Sequence, residues 1–215
     1  MVGSGIAAAR LSPGDTGLQL LENAAATGAG LVALILAFGP VSGAHLNPVV
    51  TLADHALGGI GRRDVPAYIS AQVSGAIVGS IVANIMFELP AVGWSTTTRS
   101  GGGIWLAEVV ATFGLLVVIF GVVRSGRTSA APFAVGAYIG SAYFFTSSTS
   151  FANPAVTVGR TFSDTFAGIE PSSVPAFVVA QIVGAATAVI VIRILHPRIG
   201  EVADAVILPH ADDAA

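Results

Sequence analysis

The chain has 215 residues, of which 53% are hydrophobic and 10% charged, with a mean hydropathy of +0.81. A soluble domain carries roughly 25% charged residues, so a water-soluble fold would lack the polar surface it needs. The formal charge of −3 argues nothing about nucleic acid, and no nucleic-acid partner is expected; the absence of cysteine excludes disulfides, thiol catalysis and thiolate metal sites, and four scattered histidines make no metal cluster.

Residues 1–11 offer one or two apolar helical turns before Pro13, Gly14 and Asp15, neither a signal peptide nor a full span. A spanning helix needs about 20 mostly apolar residues. Five stretches approach that length: 17–39, 65–87, 104–123, 130–146 and 174–195, the fourth marginally short. If the five alternate, Arg62, Arg63, Arg124, Arg127, Arg193 and Arg198 fall on one side and Arg10 and Arg99 on the other. The richer side is cytoplasmic by the positive-inside rule, which puts the C-terminus and its tail, residues 198–215, in the cytoplasm of a multi-pass cell-membrane protein.

The chain contains its own duplicate. Val65-Pro66-Ala67-Tyr68, with Gln72 and Gly75, recurs as Val174-Pro175-Ala176-Phe177, with Gln181 and Gly184. Upstream, Asn47-Pro48-Val49-Val50-Thr51 matches Asn153-Pro154-Ala155-Val156-Thr157 at an offset of 106 residues, Asn47 to Asn153. Three spans separate equivalent points, so the second copy enters the membrane inverted, and such repeats place their shared site near the midplane between broken helices. The single domain divides into repeat one, about 1–88, and repeat two, about 102–197.

Neither polar stretch before an Asn-Pro pair, 39–46 and 146–152, is expected to continue a lipid-facing helix. Asn followed by Pro reads as helix N-cap and first helical residue, since the Asn oxygen accepts a backbone N–H and Pro has none to leave unpaired. The short helices that follow, 47–56 and 153–162, cannot span, and backbone ends at membrane depth persist only beside protein or a water-filled cavity. Their positive ends, about half an elementary charge each, would meet head to head. The expectation is an aqueous path that repels cations, with the asparagine amides presenting N–H donors to a passing solute.

These paired blocks resemble the twin Asn-Pro-Ala signatures of the aquaporin, or major intrinsic protein, family, and the likeness covers most of residues 17–197. The resemblance implies an all-α membrane protein, an aquaporin-like inverted-repeat bundle with two re-entrant half-helices. It further implies one pore per subunit, a homotetramer in membrane lipid, no enzymatic activity and no cofactor. Ala107-Glu108 with Thr112 resembles the family's Glu-x-x-x-Thr signature, in which the carboxylate braces the neighbouring re-entrant loop; Gln72 and Gln181 read as supports bonding half-helix backbone. His45 reads either as lining the cytoplasmic approach or as bonding a loop carbonyl.

The departures from the pattern carry information. The opening span with its own Glu-x-x-x-Thr is largely missing, so that either translation begins upstream or the chain is a five-span remnant. Val49 stands where the signature has Ala and fills volume behind Asn47. Val156 follows the second signature where most members have an arginine, and counting back without gaps puts the other filter positions on Thr27, Ser141 and Ser150. Arg160, four residues on, is expected a helical turn deeper, in a salt bridge or loop contact. Small filter side chains imply a roomy constriction, as in members associated with undissociated arsenite or glycerol-sized polyols. The sequence reading is therefore a passive channel for small neutral solutes, with an ion-coupled transporter of broken helices or a non-conducting truncated protein as alternatives.

Overall fold

The structure is a computed structural model describing residues 1–196, so the expected tail at 198–215 lies outside the described residues. Among the described residues every regular element is helical: α1 (Val2–Leu11), α2 (Thr16–Ser42), α3 (Pro48–Leu57), α4 (Val65–Met86), α5 (Gly102–Arg124), α6 (Ala131–Phe145), α7 (Pro154–Gly159) and α8 (Val174–Leu195). Single 3-10 turns lead into α6, follow α7 and precede α8. Four segments are long and apolar enough to cross a bilayer: Thr16–Ser42, Val65–Met86, Gly102–Arg124 and Pro171–Leu195. The remaining expected span, α6, has 15 residues, about 22 Å at 1.5 Å per residue.

α2 corrects one expectation. Asp15 caps its N-terminus by accepting from Leu18 N at 2.9 Å, but its end is not Gly39: the helix runs through Pro40 to Ser42 and stops at Gly43, whose φ of 66° is left-handed. A proline this close to the C-terminus breaks only the bond its own nitrogen would have donated, and the glycine supplies the left-handed stop.

The two halves pack alike. α1 lies against α2 and α4, as α5 lies against α6 and α8, and each short helix docks on the last span of the opposite half, α3 on α8 and α7 on α4. Across the halves α2 meets α6 through glycines: a Cβ on Gly28 would sit 2.9 Å from the Gly136 carbonyl oxygen. The Gly136 and Gly140 face thus does what small residues do in lipid, letting backbones approach closely, whereas Gly75 and Gly79 meet nothing within 4 Å. Leu116, Ile119, Phe120 and Tyr143 fill the interior, while Phe38, Val78, Ile85, Leu106, Phe133 and Ile190 are exposed on the outside, the polarity pattern of a bundle whose outer solvent is hydrocarbon.

Candidate conduction site

The tips of α3 and α7 meet, and they meet through their caps. Asn47 Oδ1 accepts from Val49 N at 3.1 Å; Asn153 Oδ1 accepts from Ala155 N at 3.0 Å and Val156 N at 3.2 Å. With the oxygens so engaged, the amide nitrogens face across the contact. Asn47 Nδ2 donates to the Ala152 carbonyl at 2.7 Å, and Asn153 Nδ2 donates to the Leu46 carbonyl at 2.9 Å. Each asparagine holds the carbonyl just before the other, a reciprocal clasp that occupies one N–H of each amide and leaves a second.

The linkers obey the same symmetry. Gly43, Ala44 and Leu46 have φ of 66°, 44° and 50°, and Thr149, Ser150 and Ala152 have 61°, 50° and 48°. The pairs are spaced by the offset that relates the two asparagines, so the repeat extends to backbone conformation. Left-handed φ at non-glycine residues costs about 1 kcal/mol or more each; here it turns the Leu46 and Ala152 carbonyls toward the opposite asparagine.

Glutamine and threonine repeat as well. Gln72 Nε2 donates to Thr51 Oγ1 at 2.9 Å, and Gln181 Nε2 to Thr157 Oγ1 at 2.9 Å. The hydroxyls donate onward to the carbonyls of Asn47 at 3.3 Å and Asn153 at 2.8 Å. The glutamines therefore bond half-helix side chains rather than the backbone expected of them. Both threonines stand in the duplicated Asn-Pro blocks, so the signal for them was in the sequence.

Glu108, fully buried, accepts from Phe151 N and Ala152 N at 2.8 Å each and from Gln181 Nε2 at 2.7 Å. Each of its oxygens takes a donor from the second linker or its support. Around the first linker, His45 Nδ1 shares a bond of 3.1 Å with Thr51 Oγ1, and His45 Nε2 lies 3.6 Å from Asp54 Oδ2. His45 thus bonds a half-helix hydroxyl and lies beside a carboxylate; Asp54, whose Oδ2 accepts from Ile60 N at 2.7 Å, escaped the sequence reading.

A cavity of about 450 Å³ passes both tips, bordered by Asn47, Asn153, His45, Gln72, Thr27, Phe151, Ala155 and Val156. Val49, Glu108 and Gln181 are buried behind it. The expected filter set is only partly gathered here. Thr27 and Val156 border the cavity, and Thr27 Oγ1 is 3.2 Å from Tyr143 Oη. Ser150 is buried beside Phe151 with its hydroxyl unpartnered. Ser141 corrects the gapless count: it is exposed on the helix face it shares with Phe133 and Phe144, its Oγ turned back to the Ala137 carbonyl at 2.8 Å. The buried face of α6, turned toward the cavity, carries Val135 and Ile139 instead.

Arg160 is displaced outward, because α7 leads away from the meeting point; it is not deeper. Its Nε donates to the Ala167 carbonyl, a loop contact as expected, and its guanidinium stacks on Phe151 with Cζ 3.5 Å from the ring centroid. Arg99, in the loop before α5, donates from Nε to the Gly168 carbonyl at 2.8 Å. Burial pushes its pKa below the ordinary arginine value, against the opposing pull of Glu108 and Tyr143, and it stays cationic at neutral pH.

Inverted halves, paired re-entrant helices and a cavity at their contact define an aquaporin-like membrane bundle. A solved aquaglyceroporin from Plasmodium falciparum shares the fold with a TM-score of 0.72 at 21% identity, over 92% of this chain and 91% of that one. The family model described as major intrinsic protein matches residues 1–151. The aquaglyceroporin AqpS of Rhizobium meliloti (strain 1021) is 49% identical over 198 residues, 92% of this chain and 84% of the relative. Aquaporin NIP1-1 of Zea mays is 34% identical over 164 residues, 74% of this chain but 57% of that protein. The chain belongs to the major intrinsic protein family.

Proposed function

We propose that the protein is a passive channel for small neutral solutes, carrying water and glycerol-sized polyols, with undissociated arsenite as a further candidate. The observation that carries this reading is the clasp of Asn47 and Asn153 at a cavity wall: each amide keeps an N–H for a passing oxygen while the two helix ends place positive potential where a cation would have to cross. The filter candidates are Thr27 and Val156, with Ser150 behind the wall. His45 and Gln72 line or support the approach, and Glu108 and Gln181 brace the second half. The reading extends to a homotetramer with cytoplasmic C-termini and to two repeats at about 1–88 and 102–197.

A broken-helix transporter would need a carboxylate free to gain and lose its partners. Glu108 is engaged on both oxygens by fixed donors, which favours bracing. Purified protein in liposomes is expected to speed glycerol entry over protein-free vesicles, at a rate that a protonophore leaves unchanged; entry that collapses with the proton gradient supports the transporter instead. Val156→Arg is expected to slow glycerol while sparing water, and equal glycerol rates in the two proteins would remove Val156 from the constriction.

A further inference from the structure

We propose that Asp54 is a positioning residue of the path: it keeps a second proton on His45, and the imidazolium bridge so formed fixes the first linker, which makes conduction depend on pH. The inference rests on the channel reading above.

The offset of 106 residues that relates the two asparagines also relates His45 to Phe151, Thr51 to Thr157 and Asp54 to Arg160. Both halves build one kind of cluster from these positions. His45 meets the ring of Tyr68 with centroids 5.4 Å apart and lies 3.6 Å from Asp54 Oδ2. Phe151 meets Phe177, the repeat partner of Tyr68, at 5.1 Å and stacks under the Arg160 guanidinium at 3.5 Å. Each ring is wedged between an aromatic of the last span of its half and a charge seven residues after the asparagine cap, but the two charges are opposite. A phenyl ring has no proton to exchange, whereas an imidazole has.

Counting hydrogens around Thr51 assigns the protons of His45. A hydroxyl has one hydrogen to give and two lone pairs to offer. That of Thr51 donates to the Asn47 carbonyl and accepts from Gln72 Nε2, so in the 3.1 Å contact His45 Nδ1 is the donor. A neutral ring would then turn a bare Nε2 toward the Asp54 oxygen that accepts from Ile60 N. Two acceptors face to face are unfavourable where His45 is 8% and Asp54 3% exposed, so the second proton stays on Nε2 beside an ionised carboxylate. The bridge runs from Asp54 through His45 to Thr51, and Leu46, next in the linker, offers the carbonyl that Asn153 holds. Of the ionisable groups nearby, Tyr68 on α4 donates to the Ser42 carbonyl, His55 on α3 bonds the Ile60 carbonyl and Arg193 on α8 bonds the Ala56 carbonyl. Asp64 acts electrostatically on Tyr68, and Arg62 and Arg63 are exposed in the loop before α4.

The test joins two readouts on the full chain in liposomes. In solid-state NMR with nitrogen-labelled histidine, the ring signals that vanish in His45→Phe identify His45. Both of its nitrogens are expected to be protonated at neutral pH, with Nε2 bare in Asp54→Asn, whose amide can donate to it. In stopped-flow light scattering, wild-type glycerol permeability is expected to fall about fivefold as the pH rises from about 6 to about 9, because the bridge is whole at the acid end and broken at the alkaline end. Asp54→Asn should flatten that profile, and so should His45→Phe, which gives the first half the ring of the second. A bare Nε2 in the wild type at neutral pH, a wild-type glycerol permeability that ignores pH, or variants with the wild-type pH dependence overturn this inference alone. Wild-type protein that carries no glycerol at any pH overturns the channel reading, and the ring signals then decide the role of Asp54 by themselves.

Discussion

The two halves share one plan and differ in how it is held. Their caps, linkers and glutamine-threonine pairs correspond residue by residue, yet the second linker is pinned by a buried carboxylate while the first carries an imidazole beside Asp54. The glycines at equivalent places mark the same contrast. A Cβ on Gly184 would lie 2.5 Å from the Val109 carbonyl of α5, whereas one on Gly75 would meet nothing within 4 Å. The lesson is that an inverted repeat conserves the contacts made at its centre, where both halves must agree, and leaves each half to solve its own periphery.

Breaking the stronger brace should have the largest effect. Glu108→Gln leaves a linker N–H facing an amide donor in a buried site, at an expected cost of about 3 kcal/mol, read from unfolding by a denaturing detergent. Gln72→Ala, in the less braced half, should cost about 1 kcal/mol; equal losses would show that the halves are held alike. Next come the asparagines. Asn47→Ala and Asn153→Ala each remove a helix cap and one clasp bond, together about 2 kcal/mol, and here the halves should match. Unequal losses in the same unfolding measurement would deny the reciprocity. The smallest effect carries opposite signs: Gly184→Ala is expected to destabilise by about 1 kcal/mol, since crowding against α5 outweighs the helix preference of alanine. Gly75→Ala should stabilise by about 0.5 kcal/mol through that preference alone.

Much of this was readable in the chain before any coordinates. Asn-Pro pairs announce caps at N1 prolines, the offset between them announces the repeat, and a lone carboxylate in an apolar span announces a brace, because each is a local rule acting on adjacent residues. The rest depended on conformations that no residue type advertises. Ala44, Leu46, Ser150 and Ala152 adopt left-handed φ without being glycine, and the carbonyls of Leu46 and Ala152 are held by bonds from across the molecule. Ser141 was misplaced because counting along the chain ignores where α6 ends and how the linker turns after Phe145. Phe151 and Arg160 gave no signal together, since eight residues of linker and half-helix separate them and only the turn after α7 brings guanidinium to ring.

The reciprocal bonds between Asn47, Ala152, Asn153 and Leu46 have a kinetic consequence. A carrier that exposes its site to one face and then the other must slide or rock its halves, and any such stroke would sever both links at every turnover. Solutes that diffuse past leave the links intact, so throughput here is limited by friction along a static wall, and it should rise with concentration gradient without the ceiling that a conformational cycle imposes.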